Sequence, residues 1–424
     1  MQILMRARCC LRGAKVLFEI LQEYLDVGQP SHETLRRWLL RIGLCELGRP
    51  VERAEDWIWI LDHEAPVGPE KCLLVIGVRQ SVVRAKKWAL THQDVQVLHL
   101  DVMSHSTGEL MEHKLQQLAQ RVGTPHQIVS DHGADLAKGI RLLRQQHPKI
   151  IDTYDISHKL ACLLKGELSK DDRWKAFLVA CAKARPRLQQ TQASDLMPPE
   201  LRVKARYMNL DRQVQWAQRR LAYLNGPVDP KLAAKLGLTN EQSRAWVLER
   251  IGWLYDFQDD IALYGAMMQV ARVAQTVVKQ QGLRRDSRQQ FDAALPADLP
   301  DHPRLQRLME QVRDYLTAEG AKLTDDGGYL GSSDIIESLF GKHKLFTENG
   351  THKGIGPSLL LLPLLTVKWT AALVRDALEA TPYAAVTAWQ KQRFGKIAAV
   401  PEQGTTQTQG ETITGMNQYP RLPP

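Results

Sequence analysis

Three acidic residues, far apart in a chain of 424, have the settings that carboxylate chemistry requires. Asp62 ends the apolar run Asp56-Trp-Ile-Trp-Ile-Leu-Asp62, and Asp131 ends the shorter Gln127-Ile-Val-Ser-Asp131, which leads into His132-Gly133. Continuous apolar runs of this length read as strands buried on both faces. Side by side and parallel, such strands would place both carboxylates at the sheet edge where open α/β sheets form ligand sites. Glu337 belongs to Asp334-Ile-Ile-Glu-Ser-Leu-Phe-Gly-Lys-His-Lys344, preceded by Gly331, Ser332 and Ser333. On a helix Ile335, Ile336, Leu339 and Phe340 gather on one side. Glu337 and Lys344, two turns apart, stand nearly one above the other, with small Ser333 and Gly341 beside them. Two aspartates joined by a third carboxylate make an oxygen-rich pocket for hard divalent cations such as Mg2+. Two such ions about 4 Å apart can activate a water or a 3′-hydroxyl and stabilise the leaving oxygen of a phosphodiester. Each acid also has a plainer use. Asp334 and Glu337 have the spacing of a capping box, and Asp131 precedes a helix that it could cap.

The elements that would position these acids follow from periodicity. Lys71–Val78 reads as the hairpin partner of the first strand, after a turn at Pro66, Gly68 and Pro69. A third strand is expected at Val95–Met103, and a helix at Gly108–Val122 with Leu110, Leu115 and Leu118 on its apolar side. The strand ending at Asp131 is followed by a helix over Asp135–Gln146 and a last strand through Ile150–Ile156. The result is an α/β arrangement with a mixed five-stranded sheet, flanking helices and some parallel pairs. From His158 to about Asp325 no strand pattern appears, and helical stretches punctuated by Pro186, Pro198-Pro199, Pro227 and Pro230 dominate. Basic residues there (Lys159, Lys165, Lys170, Arg173 and Lys175 among them) are interleaved with Trp174, Trp216, Trp246 and Trp253. Such a mixture suits either a nucleic-acid surface or, for the tryptophans, a helical core.

Residues 14–44 read as a helix, a break at Gly28 and Pro30, and a second helix N-capped by Ser31. In the second helix Leu35, Trp38, Leu39 and Ile42 form a buried stripe, and Arg36, Arg37 and Arg41 point away from it. A helix-turn-helix that shows arginines on its second helix has the form of a major-groove reader. A hairpin with a solvated basic face is the alternative. The segment before Leu11 reads as short for a complete three-helix reader. A final apolar helix is expected over Ser358–Glu379 after a glycine-rich turn through Asn349-Gly350 and Gly354–Pro357. The Thr-, Gln- and Gly-rich residues beyond about Gln403 are expected to be disordered.

Composition bounds the function. Hydrophobic residues make up 44% and charged residues 24%, as in globular proteins, and the net charge of +9 favours an anionic partner. No apolar run approaches the roughly 20 residues of a membrane span, and the richest, Leu359–Leu365, is interrupted by Pro363. The N-terminus lacks an apolar segment with a small-residue cleavage site, so export is not expected. Six scattered cysteines without a C-x-x-C pair argue against structural zinc and for reduced thiols.

The order β-β-β-α-β-α-β, with carboxylates after strands one and four and a glutamate on a later helix, resembles the RNase H-like core of DDE transposases and retroviral integrases. The resemblance covers roughly residues 14–380 and places the chain near bacterial insertion-sequence transposases. It implies that Asp62, Asp131 and Glu337 are the D, D and E and hold two Mg2+ ions, with Mn2+ as a substitute. Lys344 matches the basic residue seven positions after the glutamate, and implies a phosphate contact near the scissile bond. Asp155-Ile-Ser-His158 matches a Cys or Asp three residues before a His just past the last strand, which implies a catalytic His158 at the junction of core and insertion, near DNA. The long interval from Asp131 to Glu337 accommodates the all-helical insertion that several transposase groups carry there. Ser333 and Leu330 stand where the Tyr-Arg-Glu-Lys group has its arginine and tyrosine.

The implied organisation is a DNA-binding helix-turn-helix over 1–49, a first core part over 50–157, a helical insertion over 158–325, a second core part over 326–383 and a tail over 384–424. The implied activity is Mg2+-dependent cleavage and strand transfer. Its partners would be double-stranded DNA, both terminal inverted repeats and target, bound by a homodimer or higher oligomer. The implied setting is the bacterial cytoplasm, at the nucleoid and away from membranes. An RNase H-like nuclease without strand transfer, and a non-catalytic DNA-binding protein derived from a transposase, are the alternatives.

Overall fold

The structure, a computed structural model, describes residues 4–5, 9–64, 71–200, 210–227, 229–348 and 356–394. The expected hairpin turn at Pro66–Pro69, most of the glycine-rich turn and the tail beyond Gln403 lie outside these residues.

Five strands, β1 (Trp57–Glu64), β2 (Lys71–Arg79), β3 (Gln96–Met103), β4 (Gln127–Ser130) and β5 (Ile151–Tyr154), form one mixed sheet in the order β3-β2-β1-β4-β5. The first three meander antiparallel, and β4 and β5 add in parallel beside β1. The parallel pairs need crossovers, which the helices Gly108–Val122 and Ala134–Gln146 supply. Both crossover helices lie on one face, packing Met111, Leu115, Leu118, Leu136 and Ile140 against Trp57, Trp59 and Leu61 of β1. Alternate residues point to opposite faces. Ile58 and Ile60 therefore face the other side, where Ile336, Leu339 and Phe340 of the helix Asp334–Glu348 pack with Leu360, Leu362, Val386 and Trp389. The all-apolar character of β1 is the consequence of this two-sided burial.

Between β5 and the glutamate helix the chain is helical. Helices from Ile156–Leu168 to Pro303–Gly320 enclose a core of their own that includes Trp174, Phe177, Tyr264, Phe291 and Leu316. Trp174 and Trp216 are buried in it, and Trp246 and Trp253 pack against it, so these tryptophans are core residues rather than an exposed stacking surface. The stretch Asn240–Gln281 is long and apolar enough to pass for a membrane span, unlike the sequence expectation, and 67% of its most apolar window is buried inside the protein.

The two ends of the chain depart from expectation together. The helix His32–Leu47 buries Leu35, Leu39, Leu40, Ile42, Gly43 and Glu46. It packs against Leu361–Leu364, Ala371–Ala380 and Tyr383–Phe394, which cover it. The expected single helix over Ser358–Glu379 is broken into a 3-10 turn at Pro357–Leu360, a short helix at Leu361–Leu364 and a helix that starts afresh at Ala371, capped by Thr370. Residues 384–394, expected in the tail, are helical, and Val386, Trp389 and Phe394 are buried under the sheet.

Candidate functional site

Strand register brings two of the three acids together. Leu61 of β1 pairs with Ser130 of β4 in the parallel ladder, and the next residues are Asp62, still within β1, and Asp131, just past the end of β4. Alternation then settles which way they point. Asp62 follows Ile58 and Ile60, and Asp131 follows Val129, all three on the face that carries the glutamate helix. One expectation needs correction. The pairing of β1 with β4 ends at Leu61, just before Asp62, but the strand continues through Asp62, His63 and Glu64 against β2.

The glutamate helix is placed by side chains from the sheet. Gln127, fully buried at the start of β4, donates to the Leu330 carbonyl (2.6 Å) and Thr153 Oγ1 (2.9 Å) and accepts from the Leu330 N–H (3.3 Å). Its amide thus reads both backbone groups of Leu330 as a neighbouring strand would. Asp155 then fixes the start of the helix. One oxygen accepts from Ser333 N (2.5 Å) and Ser333 Oγ (3.0 Å), and the other from His158 N (2.7 Å). Burial alone would raise the pKa of Asp155, but bonds from His158 and Ser333 outweigh it and hold the carboxyl below its usual range. Asp334 meets Lys279 at 2.6 Å, an ion pair across to the helical insertion. Ser332 Oγ accepts from Asp334 N at 3.2 Å.

Glu337 is half-buried in the first turn of its helix. Its Oε1 is buried without a hydrogen-bond partner and lies 3.4 Å from His158 Nδ1, an ion-pair approach. His158 Nδ1 also stands 3.2 Å from Asp155 Oδ1. Burial opposes protonation of His158. The Asp155 bond and charge, followed by the charges of Glu337 and Asp131, overcome it and raise the imidazole to about 9. His158 is therefore a cation at neutral pH among acids. Asp62 shows the opposite pressure: burial, then the charge of Asp131, push it up to about 7 despite a bond from His63 N at 2.6 Å. Burial also raises Glu337, although His158 pulls it down.

The donor set is all oxygen, two of its members are neighbours on one sheet face, and one oxygen of the third is orphaned. That chemistry fits a hard divalent cation. Among the described residues, however, no three His, Cys, Asp or Glu side chains converge as a ready-made metal site. Asp62 feels the charges of Asp131 and Glu337, but the three acids do not close into a ligand set, and His158 is the group that stands against Glu337.

The basic candidates divide. Lys344 is exposed on the glutamate helix, two turns beyond Glu337. Arg36 is bound bidentately by Glu33 at 2.7 Å, and Arg41 donates to the Thr381 and Leu378 carbonyls, capping the end of the helix Ala371–Ala380. Arg41 thus ties its helix to the C-terminal helices, which occupy the side expected to be free, and Arg36, half-buried, reaches Tyr383 Oη on the same side at 3.4 Å. Arg37 is the exposed member, paired with Glu33 and lying 5.0 Å from the centre of the Tyr383 ring. Gln127 carries no sequence signal, since a glutamine at a strand start is unremarkable. Asp155 was recognisable only through its spacing from His158, which is that of an N-cap to the third residue of its helix.

The fold and site together define an α/β protein with a mixed five-stranded sheet, flanking helices and paired strand acids. No protein-family model and no curated protein matches the sequence. Among solved structures it is similar to a "Drosophila P element transposase strand transfer complex", with 13% identity, a TM-score of 0.39, and coverage of 85% of this chain and 90% of that one.

Proposed function

We propose that the chain is a DDE-type DNA transposase with an RNase H-like core, in which Asp62, Asp131 and Glu337 are the catalytic carboxylates. The observation that carries this reading is the register of β1 and β4, which sets Asp62 beside Asp131 on the face bearing Glu337. A divalent cation held by these residues would supply Lewis acidity at the scissile phosphate and lower the pKa of an attacking water or 3′-hydroxyl. The chain's own residues do the rest. Asp155 and Gln127 seat the glutamate helix, and His158 compensates the acids' charge. Lys344 offers a cation to the DNA backbone, and the net charge of +9 favours the same polyanion. Helical insertion, DNA-end recognition and assembly as an oligomer on DNA belong to the same reading, as do Mg2+ as the working ion and a place at the nucleoid.

The test is cleavage and joining of linear DNA carrying the sequences that flank the protein's own reading frame, mixed with a supercoiled target plasmid. The wild-type chain with Mg2+ is expected to nick the ends and give joined products. Asp62→Asn, Asp131→Asn and Glu337→Gln should each lose both activities by at least a hundredfold while retaining DNA binding. Undiminished cleavage by Asp62→Asn would remove the assignment, and cleavage without joined products would make the protein a nuclease.

A further inference from the structure

Asp131 is followed by a residue in an unusual conformation. His132 has φ of +53°, the left-handed region that a side chain bearing a Cβ rarely adopts, and such backbone persists where surrounding contacts impose it. Here the consequence is specific. The turn at His132 directs the Gly133 N–H back onto Asp131 Oδ1 at 2.9 Å, so one carboxylate oxygen is held by the backbone of the very turn that follows it.

Contacts of the imidazole hold the turn. Its ring lies flat on Tyr154 of β5, with centroids 4.5 Å apart and planes 13° apart, and its Nε2 meets Asp152 Oδ1 at 2.9 Å. Those two β5 residues are themselves gripped from outside the sheet. Among the described residues no further strand lies beyond β5, and the outward backbone groups of Asp152 and Tyr154 are met by side chains from the end of the insertion. Tyr315 Oη donates to the Tyr154 carbonyl (2.7 Å), Tyr154 N donates to Glu319 Oε2 (3.3 Å), and Lys322 Nζ donates to the Asp152 carbonyl (2.9 Å). A continuous set of contacts therefore runs from the helix Pro303–Gly320 through β5 and His132 to Asp131.

We propose that His132 is a positioning residue: it fixes the Asp131 carboxylate for a divalent cation and makes that placement depend on the insertion being seated on β5. The proposal rests on the reading of Asp131 as a metal ligand given above. Residues that orient a ligand without touching the metal commonly change its affinity about 10- to 100-fold when replaced. A turn residue with only a structural role would change stability and leave affinity alone.

The experiment measures Mn2+ binding to the full chain by electron paramagnetic resonance, with urea unfolding on the same samples. His132→Gly removes the stack and the Asp152 contact but suits the left-handed backbone, so its urea unfolding midpoint should stay close to that of wild type. Its Mn2+ affinity should fall about tenfold or more. His132→Asn, which also tolerates that backbone and keeps a polar group near Asp152, should recover part of the loss. Tyr315→Phe, altered only in the insertion, should weaken Mn2+ binding in the same direction. Unchanged affinity in His132→Gly, with binding still abolished by Asp131→Asn, overturns the positioning role and leaves the metal site standing. Wild-type protein whose Mn2+ binding is absent or indifferent to Asp131→Asn overturns both. Should His132→Gly fail to fold, His132→Asn decides: affinity equal to wild type with Tyr315→Phe also unchanged counts against the proposal.

Discussion

Asp62 and His158 carry opposite electrostatic loads, and each gives a pH signature. Asp62 ordinarily titrates near 3.8 and is raised to about 7 in the fold. Between those values the unfolded chain has released a proton that the folded chain retains, so stability falls as pH rises from about 4 to 7 and stays lowered above. Asp62→Asn, neutral throughout, should therefore stabilise the metal-free protein at pH 8 by on the order of 1–3 kcal/mol and have little effect below pH 4. Urea titrations at both pH values check this; a loss of stability at pH 8 would show that burial and Asp131 do not dominate. His158 is raised from 6.5 to about 9. Its contribution is complete below pH 6.5 and disappears as pH rises through 9. His158→Gln should cost on the order of 1–2 kcal/mol at pH 6 and nearly nothing at pH 10 in the same assay. A cost equal at the two pH values would mean that shape, not charge, holds His158 in place.

At the scale of elements, the glutamate helix depends on one buried acid. Asp155→Ala would strand the Ser333 and His158 N–H groups and is expected to cost about 2–4 kcal/mol by chemical denaturation, whereas Asp155→Asn, which keeps an acceptor oxygen, should cost less. Equal losses would point to packing instead. The same elements show what a sequence can disclose. Strands β1 and β4 and the helix Gly108–Val122 were legible because burial on two faces, or on one stripe, leaves a period that survives in the residues. Asp62 and Asp131 were legible as acids terminating apolar runs. Their shared face follows from alternation once register is known, and register is a tertiary fact. The environment of Arg36 and Arg41 was not legible. An arginine on the polar side of an amphipathic helix looks the same whether solvent, DNA or another helix lies beyond it, and here helices more than three hundred residues away do. Nor does the polar pairing of Gln127 with Leu330 leave any periodic trace, since it joins a single side chain to one backbone position.

For the molecule as a whole, the sheet has two borders and distant parts of the chain close each. The insertion closes β5. Beside β3, the other outer strand, the helix Tyr383–Phe394 brings Arg393 to Asp101, an acid buried with Lys114, and slides Trp389 and Phe394 into the core that also contains Ile336 and Leu339. Trp389 and Phe394 meet edge to face, with centroids 5.7 Å apart. The end of the described chain is thus part of the wall behind the glutamate helix, and its loss should reach the candidate site without touching it. Trp389→Ala is expected to lower stability by about 3–5 kcal/mol, the usual cost of emptying a buried aromatic position. Arg393→Ala should cost less, since a partly exposed cation is lost and Lys114 still compensates Asp101. Hydrogen exchange read on both variants separates wall from surface. Faster exchange of the amides in the helix Asp334–Glu348 and in β3 for Trp389→Ala, with those of the insertion helices unchanged, is the pattern expected if the C-terminal helix supports the face that carries the candidate site. Uniform acceleration through the insertion would instead mean that the insertion core and the core behind the glutamate helix unfold as a single unit.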